Sequence, residues 1–291
     1  MLIDIHVHAA ARIGPFRANG ETYATAEQLI AMHDERGIAR GVILPGGSPE
    51  CSHCPLSMNE CLAIVAAYPD RFIPFCNPDP RMLTNSPDAN FTPLLEFYKA
   101  RGCKGVGELC ANIPFDDPLV WNLLRHCEAC GMPATFHLST AIGGTYGLYD
   151  ELNLPRLKKT LAEFPHLVFL GHSQAFWSEI SGDVTEETRG HYPKGPVTEG
   201  GSVVELMRAH PNLCGDLSAH SGANALTRDP DHAWRFLEEF QDRLFFGTDI
   251  CAPSNTTPLV DFLKNGLAAG HIDRDVYEKI GRTNAERLLG L

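Results

Sequence analysis

Two histidines lie two residues apart near the start of the chain, at His6 and His8. In a β-strand, side chains two residues apart point to the same side, so both imidazoles could bind one metal ion. Asp4 shares this side one step deeper, where its carboxylate could orient a histidine. Such a pair is a modest signal on its own, and its meaning depends on the polar groups that the fold brings beside it.

Four further side chains that bind metals or transfer protons occur later, each at the end of a short apolar run. They are Glu108, His137, His172 and Asp249. A single His, Glu or Asp at such a position is more often a hydrogen-bonded buried group than a ligand. Six such groups in one buried site, however, would be very costly without cations. Together with the first pair, these residues therefore predict a metal centre.

Short apolar runs alternate with amphipathic stretches along the whole chain, a pattern typical of a parallel sheet with helical crossovers. We predict an α/β fold, a (β/α)8 TIM barrel, as a single domain over residues 1–291. The predicted strands are Leu2–His8, Gly41–Pro45, Arg71–Cys76, Lys104–Leu109, Ala134–Ser139, Leu167–His172, Leu213–Leu217 and Leu244–Asp249. The carboxyl ends of barrel strands carry the catalytic groups, which places the six candidate ligands at one mouth.

The predicted helices lie between these strands and after the last one. They are Thr25–Arg36, Met58–Ala67, Pro93–Arg101, Pro118–Cys130, Leu154–Phe164, Val203–His210, Ala233–Gln241 and Asp275–Leu289, the last within a C-terminal extension of about residues 273–291. Thr25 followed by Gln28 predicts a capping box, and Gly37 predicts the end of the first helix. The irregular stretch Ser173–Gly201 is too long for an ordinary connection, and we expect it over the active site.

The ordered motif resembles that of the amidohydrolase superfamily, in its amidohydrolase-related branch. It comprises Asp4-x-His6-x-His8, His137, His172 and Asp249, and the tail Gly281–Leu289 is similar to the ending of many members. The resemblance implies a site of one or two divalent ions, with zinc expected first and manganese as the alternative. It also implies that His6 and His8 bind one ion, while Asp249 binds it and transfers protons from the attacking water to the leaving group.

The number of ions depends on Glu108, which resembles the bridging carboxylate of TatD-type hydrolases. In that arrangement His137 and His172 hold the second ion. Other branches bridge with a carboxylated lysine, for which Lys104 is the nearby candidate, but it lies near the bottom of its strand. In branches with one ion, His137 joins that ion, and His172 polarises the substrate or water. We favour two ions, or one bound tightly and one weakly.

Loops that follow the predicted strands supply candidates for substrate contact. In the first loop, Arg12 and Arg17 could each bind a carboxylate through a two-pronged guanidinium contact, although ordinary surface arginines are the alternative. The later candidates are Tyr146, Tyr149, Gln174, Phe176, Trp177, His220 and Asn224. Their position in loops around the predicted metal centre is the sole reason for choosing them.

Ten cysteines in a chain of this length, without an export signal, are expected to be reduced thiols. Two Cys-x-x-Cys pairs, Cys51 with Cys54 and Cys127 with Cys130, have the spacing of a structural zinc site. The predicted topology places these pairs at opposite ends of the barrel, so one ion cannot bind both. The first pair could line the substrate mouth, bind a surface metal or belong to a plain loop.

The net charge of −12, without a basic stripe, argues against nucleic acid as a partner. No apolar run approaches the roughly 18 residues of a membrane span, and no export signal is visible, so a cytoplasmic location is expected. The predicted function is metal-dependent hydrolysis of a small-molecule amide, ester or lactone. The alternatives are a metal-dependent non-oxidative decarboxylase of a small carboxylate, a metal-binding barrel without catalysis and, least favoured, a phosphodiester hydrolase. The resemblance also allows a homodimer.

Overall fold

The computed structural model describes residues 1–17, 19–51 and 56–291. Its strands are β1 (Leu2–Val7), β2 (Ile38–Ile43), β3 (Phe72–Pro74), β4 (Val106–Leu109), β5 (Ala134–Ser139), β6 (Leu148–Tyr149), β7 (Phe169–His172), β8 (Leu213–Asp216) and β9 (Leu244–Phe245). One sheet has the order β1-β2-β3, and the other has the order β4-β5-β7-β8-β9 with β6 beside β5. All of these strand pairs are parallel.

Backbone hydrogen bonds join the two sheets at both of their edges. The N–H of Cys76, after β3, donates to the carbonyl of Gly105, before β4, at 2.9 Å. On the other side the N–H of Ile5 in β1 donates to the carbonyl of Phe246, after β9, at 2.9 Å. Leaving β6 aside, eight parallel strands therefore follow one another around a ring, as the predicted (β/α)8 barrel requires.

Helices connect the strands and cover the ring. They are α1 (Ala26–Arg36), α2 (Met58–Ala67), α3 (Thr92–Lys99), α4 (Pro118–Cys130), α5 (Pro155–Glu163), α6 (Gln174–Ser178), α7 (Ser202–Ala209), α8 (Ala219–Thr227), α9 (Pro230–Glu239), α10 (Pro258–Ala269), α11 (Arg274–Glu278) and α12 (Asn284–Leu289). A 3₁₀ turn covers Pro49–Cys51, and a π-helical turn, Lys279–Thr283, joins α11 to α12. Within the described ranges, no helix combines the length and the apolar character needed to cross a membrane.

The first helix begins and ends as its sequence predicts. The Thr25 side chain accepts a hydrogen bond from the Gln28 backbone, and the Gln28 side chain accepts one from the Thr25 backbone. These reciprocal bonds satisfy two amide groups that the first turn leaves without helical partners. Gly37 ends the helix with φ +77°, a left-handed conformation that costs glycine little. The capping-box prediction is confirmed.

Apolar side chains that point inward from the strands fill the ring. This interior cluster contains Ile3, Ile5, Val42, Leu44, Ile73, Phe75, Leu170, Cys214 and Phe245. A larger apolar layer lies between the strands and the helices, and Trp177 is 1% exposed within it. At Gly215 in β8 a Cβ atom would lie 2.8 Å from the side chains of both Leu244 and Trp177, so the strand approaches its neighbours closely at this residue. Packing therefore closes the barrel below the mouth.

The last strand and the segments after β7 differ from the predictions. The strand predicted over Leu244–Asp249 ends at Phe245, because Asp249 adopts a left-handed φ of +54° where the backbone turns toward the mouth. Helices α8 and α10 were not predicted, and α6 lies within the stretch predicted to be irregular. The sequence of α8, Ala-His-Ser-Gly-Ala-Asn-Ala-Leu-Thr, is rich in residues that favour caps and turns, which hides its helical pattern.

Candidate metal centre

All six predicted ligands lie at the carboxyl ends of the barrel strands. His6 and His8 come from the end of β1, Glu108 from β4, and His137 from β5. His172 ends β7, and Asp249 follows β9 on a segment whose backbone pairs with β1 through the Asp249 N–H and the His6 carbonyl at 2.8 Å. The barrel topology therefore converts positions spread over more than 240 residues of sequence into one cluster.

Three of these side chains, His6, His8 and Glu108, bring one donor atom each into a common group, and Asp249 lies close to the two histidines of that group. His6 Nε2 and His8 Nε2 are 3.1 Å apart, and Glu108 Oε2 lies 3.6 Å from each of them. Asp249 Oδ1 lies 3.7 Å from His6 Nε2 and 3.4 Å from His8 Nε2. Four ligands at about 2.1 Å from a tetrahedral ion are about 3.4 Å from one another. The spacing and the donor types thus fit a divalent cation.

The second oxygen of Glu108 faces a different pair of histidines. Its Oε1 lies 2.7 Å from His137 Nδ1 and 3.7 Å from His172 Nε2. These three side chains form a second group of ligand atoms within 4.8 Å of one another. Glu108 therefore belongs to both groups through its two oxygens, which is the arrangement expected of a bridging carboxylate.

Buried polar groups hold three of the histidines by their Nδ1 atoms. His6 Nδ1 is 2.6 Å from Asp216 Oδ2, His8 Nδ1 is 2.9 Å from the Leu44 carbonyl, and His172 Nδ1 is 3.0 Å from Ser218 Oγ. With Nδ1 occupied, each ring presents Nε2 to the cluster, the tautomer and orientation that metal-binding histidines require.

Asp216 is a functional residue that the sequence analysis missed. It is fully buried and ends β8, so the rule that found the other strand-end groups applies to it as well. The sequence suggests that Asp4 could orient a histidine, but its carboxylate contacts the backbone of His6 rather than the ring of a ligand histidine. Asp4 accepts hydrogen bonds from the backbone N–H groups of His6, at 3.1 Å, and of Thr248, at 2.9 Å. It thereby joins the backbone of the first strand to the segment that carries Asp249.

Charges within the cluster shift the pKa values of its members strongly. Burial lowers the pKa of His6, but the carboxylates of Asp216 and Glu108 more than offset this effect and raise it to about 10. Burial opposes ionisation of Asp249, yet the hydrogen bond from His8 and the nearby imidazoles lower its pKa to about 2. The pKa of Glu108 also lies well below its ordinary value, because the charges of His137 and His6 outweigh the effect of burial. Histidines and carboxylates of the cluster thus stabilise each other's charged forms, and a bound cation would take the place of the histidine protons.

Two cavities open from the cluster. The first, of about 130 Å³, includes Arg17, Tyr23, Glu50, Cys51 and Cys110 in its wall. The second, of about 120 Å³, includes Gln174, Tyr192, His220, Ser221 and Asn255. His137, Tyr146, Asp249 and Cys251 belong to both walls. A molecule bound at the metal centre can therefore extend in two directions.

The structure brings four of the nine candidates for substrate contact to these cavities. Tyr146 lies between the two, with its ring centroid 4.6 Å from that of His137. Arg17 reaches the first cavity, and Gln174 and His220 reach the second. Arg12 is exposed in the loop after β1 and belongs to neither wall.

Trp177 does not contact either cavity. It is 1% exposed, and its Nε1 donates to the backbone carbonyl of Asp216 at 2.8 Å. The prediction that Trp177 contacts substrate is therefore wrong; the residue instead supports the strand end that orients His6. Phe176 is likewise buried, against Gly171, and Asn224 donates to the carbonyl of Pro193 at 3.1 Å.

Arg17 is the cation of the first cavity. Its Nη1 donates to the sulfur of Cys251 at 2.9 Å, and its guanidinium carbon lies 4.7 Å from the centre of the Tyr23 ring. Within the described ranges it forms no ion pair with a carboxylate. Glu50, on the same wall, is instead paired with Arg81 at 2.7 Å. A substrate carboxylate would therefore find a guanidinium that is not already paired with a carboxylate of the described residues.

Among the described residues, Cys51 lies apart from Cys127 and Cys130. Cys51 lines the first cavity and its Sγ donates to the carbonyl of Ser48 at 3.3 Å, whereas Cys54 lies outside the described residues. Cys127 and Cys130 are buried in α4 among core residues. The groups of potential metal ligands found within the described ranges contain no cysteine.

Comparisons with known proteins support the family resemblance. The family profile described as Amidohydrolase matches residues 3–291. A search of curated protein sequences finds no match.

Several solved structures share the fold over the whole chain. A probable 2-pyrone-4,6-dicarboxylic acid hydrolase from Acinetobacter baumannii, with citric acid bound, is 15% identical with a TM-score of 0.58, covering 100% of this chain and 99% of that one. The 5-carboxyvanillate decarboxylase of Sphingomonas paucimobilis is 15% identical with a TM-score of 0.62, at coverages of 100% and 99%. A dihydroxybenzoic acid decarboxylase from Polaromonas, with manganese and 2-nitroresorcinol bound, is 16% identical with a TM-score of 0.61, at coverages of 100% and 97%. At these identities the likeness demonstrates a common fold.

Proposed function

Because the chain is an enzyme of the amidohydrolase family, whose profile matches residues 3–291, we propose that it is a metal-dependent hydrolase. Its substrate is a small molecule that carries a carboxylate and an amide, ester or lactone bond. The observation that carries this proposal is the group of donor atoms from His6, His8 and Glu108, spaced 3.1 to 3.6 Å apart, with Asp249 at 3.7 and 3.4 Å from the two histidines.

The donor types suit zinc first, with manganese as the alternative, since imidazole and carboxylate ligands serve both. His6, His8, Glu108 and Asp249 would hold one ion, and Glu108, His137 and His172 would hold a second. A bound ion would lower the pKa of a coordinated water towards about 7, which makes that water a nucleophile near neutral pH.

In this proposal Asp249 transfers the proton. Its side chain is 26% exposed and belongs to the walls of both cavities, so it is accessible to a water and to a leaving group on either side. In its ionised form it can accept a proton from the attacking water and then donate that proton to the departing oxygen or nitrogen. His172, held by Ser218, would polarise the substrate if only one ion binds.

Substrate binding is proposed to use Arg17. Its guanidinium offers a planar pair of donors that match a carboxylate, and its present partners, the Cys251 sulfur and the Tyr23 ring, do not neutralise it. The names of the similar structures, a dicarboxylic acid hydrolase and two decarboxylases of aromatic acids, also refer to carboxylated substrates.

A metal-dependent decarboxylase is the second candidate, because the same Arg17 cavity beside the metal ligands could hold the carboxylate that is lost. In this reaction the ion orients the substrate and no water attacks. Both Glu108 oxygens belong to ligand groups, and this favours hydrolysis over decarboxylation. A carboxylate shared between two ligand groups suits a site that activates a water better than a site that only binds the substrate.

The test uses protein reconstituted with zinc or manganese and a panel of carboxylated amides, esters and lactones, assayed for acid release and for carbon dioxide. Hydrolysis is expected for at least one class, and Asp249→Asn should lower kcat by about 10²–10⁴-fold. Arg17→Gln should raise KM for carboxylated substrates but not for their methyl esters. Carbon dioxide release without hydrolysis would establish the decarboxylase, and no turnover in either assay would contradict both candidates.

A further inference from the structure

The second cavity has a wall rich in groups that form hydrogen bonds. Tyr146 and Asp249 separate it from the cavity that contains Arg17. Its wall is formed by α8, by the start of the segment after β7 and by residues 255–256. Its polar side chains are Gln174, Tyr192, His220, Ser221, Asn255 and Thr256. Arg and Lys are missing from its described lining residues, so the wall differs in charge from that of the first cavity.

Ser221 points to a missing partner in this cavity. The residue is 4% exposed, yet its Oγ has no hydrogen-bond partner among the described residues. A buried hydroxyl without a partner costs about 1–3 kcal/mol and is uncommon in native proteins, so such a group calls for a ligand or an ordered water. Because Ser221 belongs to the cavity wall, a bound molecule can supply that partner.

The surroundings of Ser221 add further donors. Ala219, His220 and Ser221 form the first turn of α8 and all line the cavity. The N-cap residue Ser218 makes no side-chain cap hydrogen bond; its hydroxyl lies 3.0 Å from His172 Nδ1 instead. The first turn of a helix has backbone N–H groups without helical partners; the Ala219 N–H already donates to the Thr248 carbonyl at 3.2 Å, so the available groups are those of His220 and Ser221. The side-chain oxygen of Asn255, Oδ1, already accepts hydrogen bonds from two backbone N–H groups, at 2.8 and 2.7 Å. This leaves the side-chain NH₂ group of Asn255 as a donor.

We propose that the second cavity binds an uncharged oxygen-bearing group of the substrate, a carbonyl or hydroxyl, beyond the bond that is cleaved. This proposal rests on the proposed function and defines its substrate more narrowly. The molecule carries a carboxylate at the end bound by Arg17 and a neutral amide or hydroxyl group at the other end. A second carboxylate is disfavoured, because Asp249 borders the cavity and no lining Arg or Lys would pair with it.

The test measures binding of three ketones that have no cleavable bond between their two ends and that differ at one end. They are 4-oxoheptanedioate, its monoamide, and the analogue with an isopropyl group in place of the amide. The metal-loaded enzyme should bind the monoamide about 5-fold more tightly than the isopropyl analogue in calorimetric titrations, the effect of one net hydrogen bond. The dicarboxylate should bind more weakly than the monoamide. Ser221→Ala should remove the advantage of the amide and leave binding of the isopropyl analogue unchanged.

Controls separate this subsite from the proposed reaction. Ser221→Ala should keep the melting temperature and metal content of the wild type; if it does not fold, Gln174→Leu removes another polar group from the same wall and is tested in the same way. The subsite would be overturned by equal binding of the amide and isopropyl ligands, by tightest binding of the dicarboxylate, or by no binding of the monoamide. Because the titrations measure binding, with ammonia release monitored to show that the amide stays intact, a preference for the amide supports the subsite even if hydrolysis assays fail. Hydrolysis without this preference overturns the subsite alone.

Discussion

Asp216 decides how well His6 can serve as a ligand. The pair is fully buried at 2.6 Å, and the carboxylate both fixes the ring and increases its basicity. Asp216→Asn retains a hydrogen-bonding group of the same size but removes the charge. We expect metal affinity to fall about 10–100-fold, measured by competition with a coloured chelator. Asp261→Asn, at an exposed ion pair with Arg36, is the matched control. An unchanged affinity in the Asp216 variant would show that the carboxylate has no part in metal binding.

Glu108 is the residue on which the number of ions depends. Its Oε1 lies near His137 and His172, while its Oε2 lies near His6 and His8. In Glu108→Gln the amide nitrogen cannot serve as a ligand, so one of the two groups loses its carboxylate oxygen. We expect the variant to bind one ion fewer than the wild type at saturating zinc, as measured by elemental analysis after dialysis. The same number of ions in both proteins would argue against a bridging role.

The segment between β7 and α7 is held by a buried ion pair. Arg189 is fully buried; its Nη2 lies 2.8 Å from Glu179 Oε1, and its Nη1 donates to the Asp150 carbonyl at 2.9 Å. Arg189→Met leaves a buried carboxylate without its cation, which costs about 3–5 kcal/mol in the free energy of unfolding. Urea denaturation should show this loss. Arg208→Met, which removes an exposed ion pair with Glu239, should cost less than about 1 kcal/mol.

The pH dependence of this effect follows from Glu179. Burial raises its pKa to about 7, although Arg189 acts in the opposite direction. In the unfolded chain Glu179 loses its proton near its ordinary pKa, whereas in the folded chain it keeps the proton until about pH 7. Rising pH between these two values therefore favours unfolding. Without Arg189 this penalty increases. The destabilisation by Arg189→Met should therefore be larger at pH 8 than at pH 5, and Glu179→Gln in the same chain should remove the difference. An equal loss at both pH values would contradict this assignment.

Most polar groups at the strand ends could be predicted from the sequence, whereas the orientations of loop side chains could not. A short apolar run that ends in His or Glu can be recognised in the sequence alone, and the barrel topology then fixes where its end lies. The orientation of a loop side chain depends on packing against distant residues: Trp177 follows β7 just as Gln174 does, yet it turns inward beneath Gly215. Ser221 was missed for a related reason, because it lies on a helix whose sequence looks like a loop.

At the scale of the whole molecule, the ligands connect distant parts of the ring. β1 and β4 belong to different sheets, and the two join through a few backbone hydrogen bonds on each side. An ion held by His6, His8, Glu108 and Asp249 would add a direct link between these sheets. The metal centre is therefore expected to stabilise the closed barrel as well as to carry its chemistry.

Metal removal tests this link. An ion that binds only the folded chain stabilises it by about 2.7 kcal/mol at a free concentration 100 times its Kd. For a chain of this size, each 1 kcal/mol shifts the melting temperature by about 2–4 °C, so adding zinc to the metal-free protein should raise it by about 5–10 °C. His8→Ala should reduce that increase, whereas His166→Ala, at an exposed residue away from the mouth, should not. If zinc raised the melting temperature of wild type and His8→Ala equally, its stabilising site would lie elsewhere, and the link between the sheets at the mouth would contribute nothing to stability.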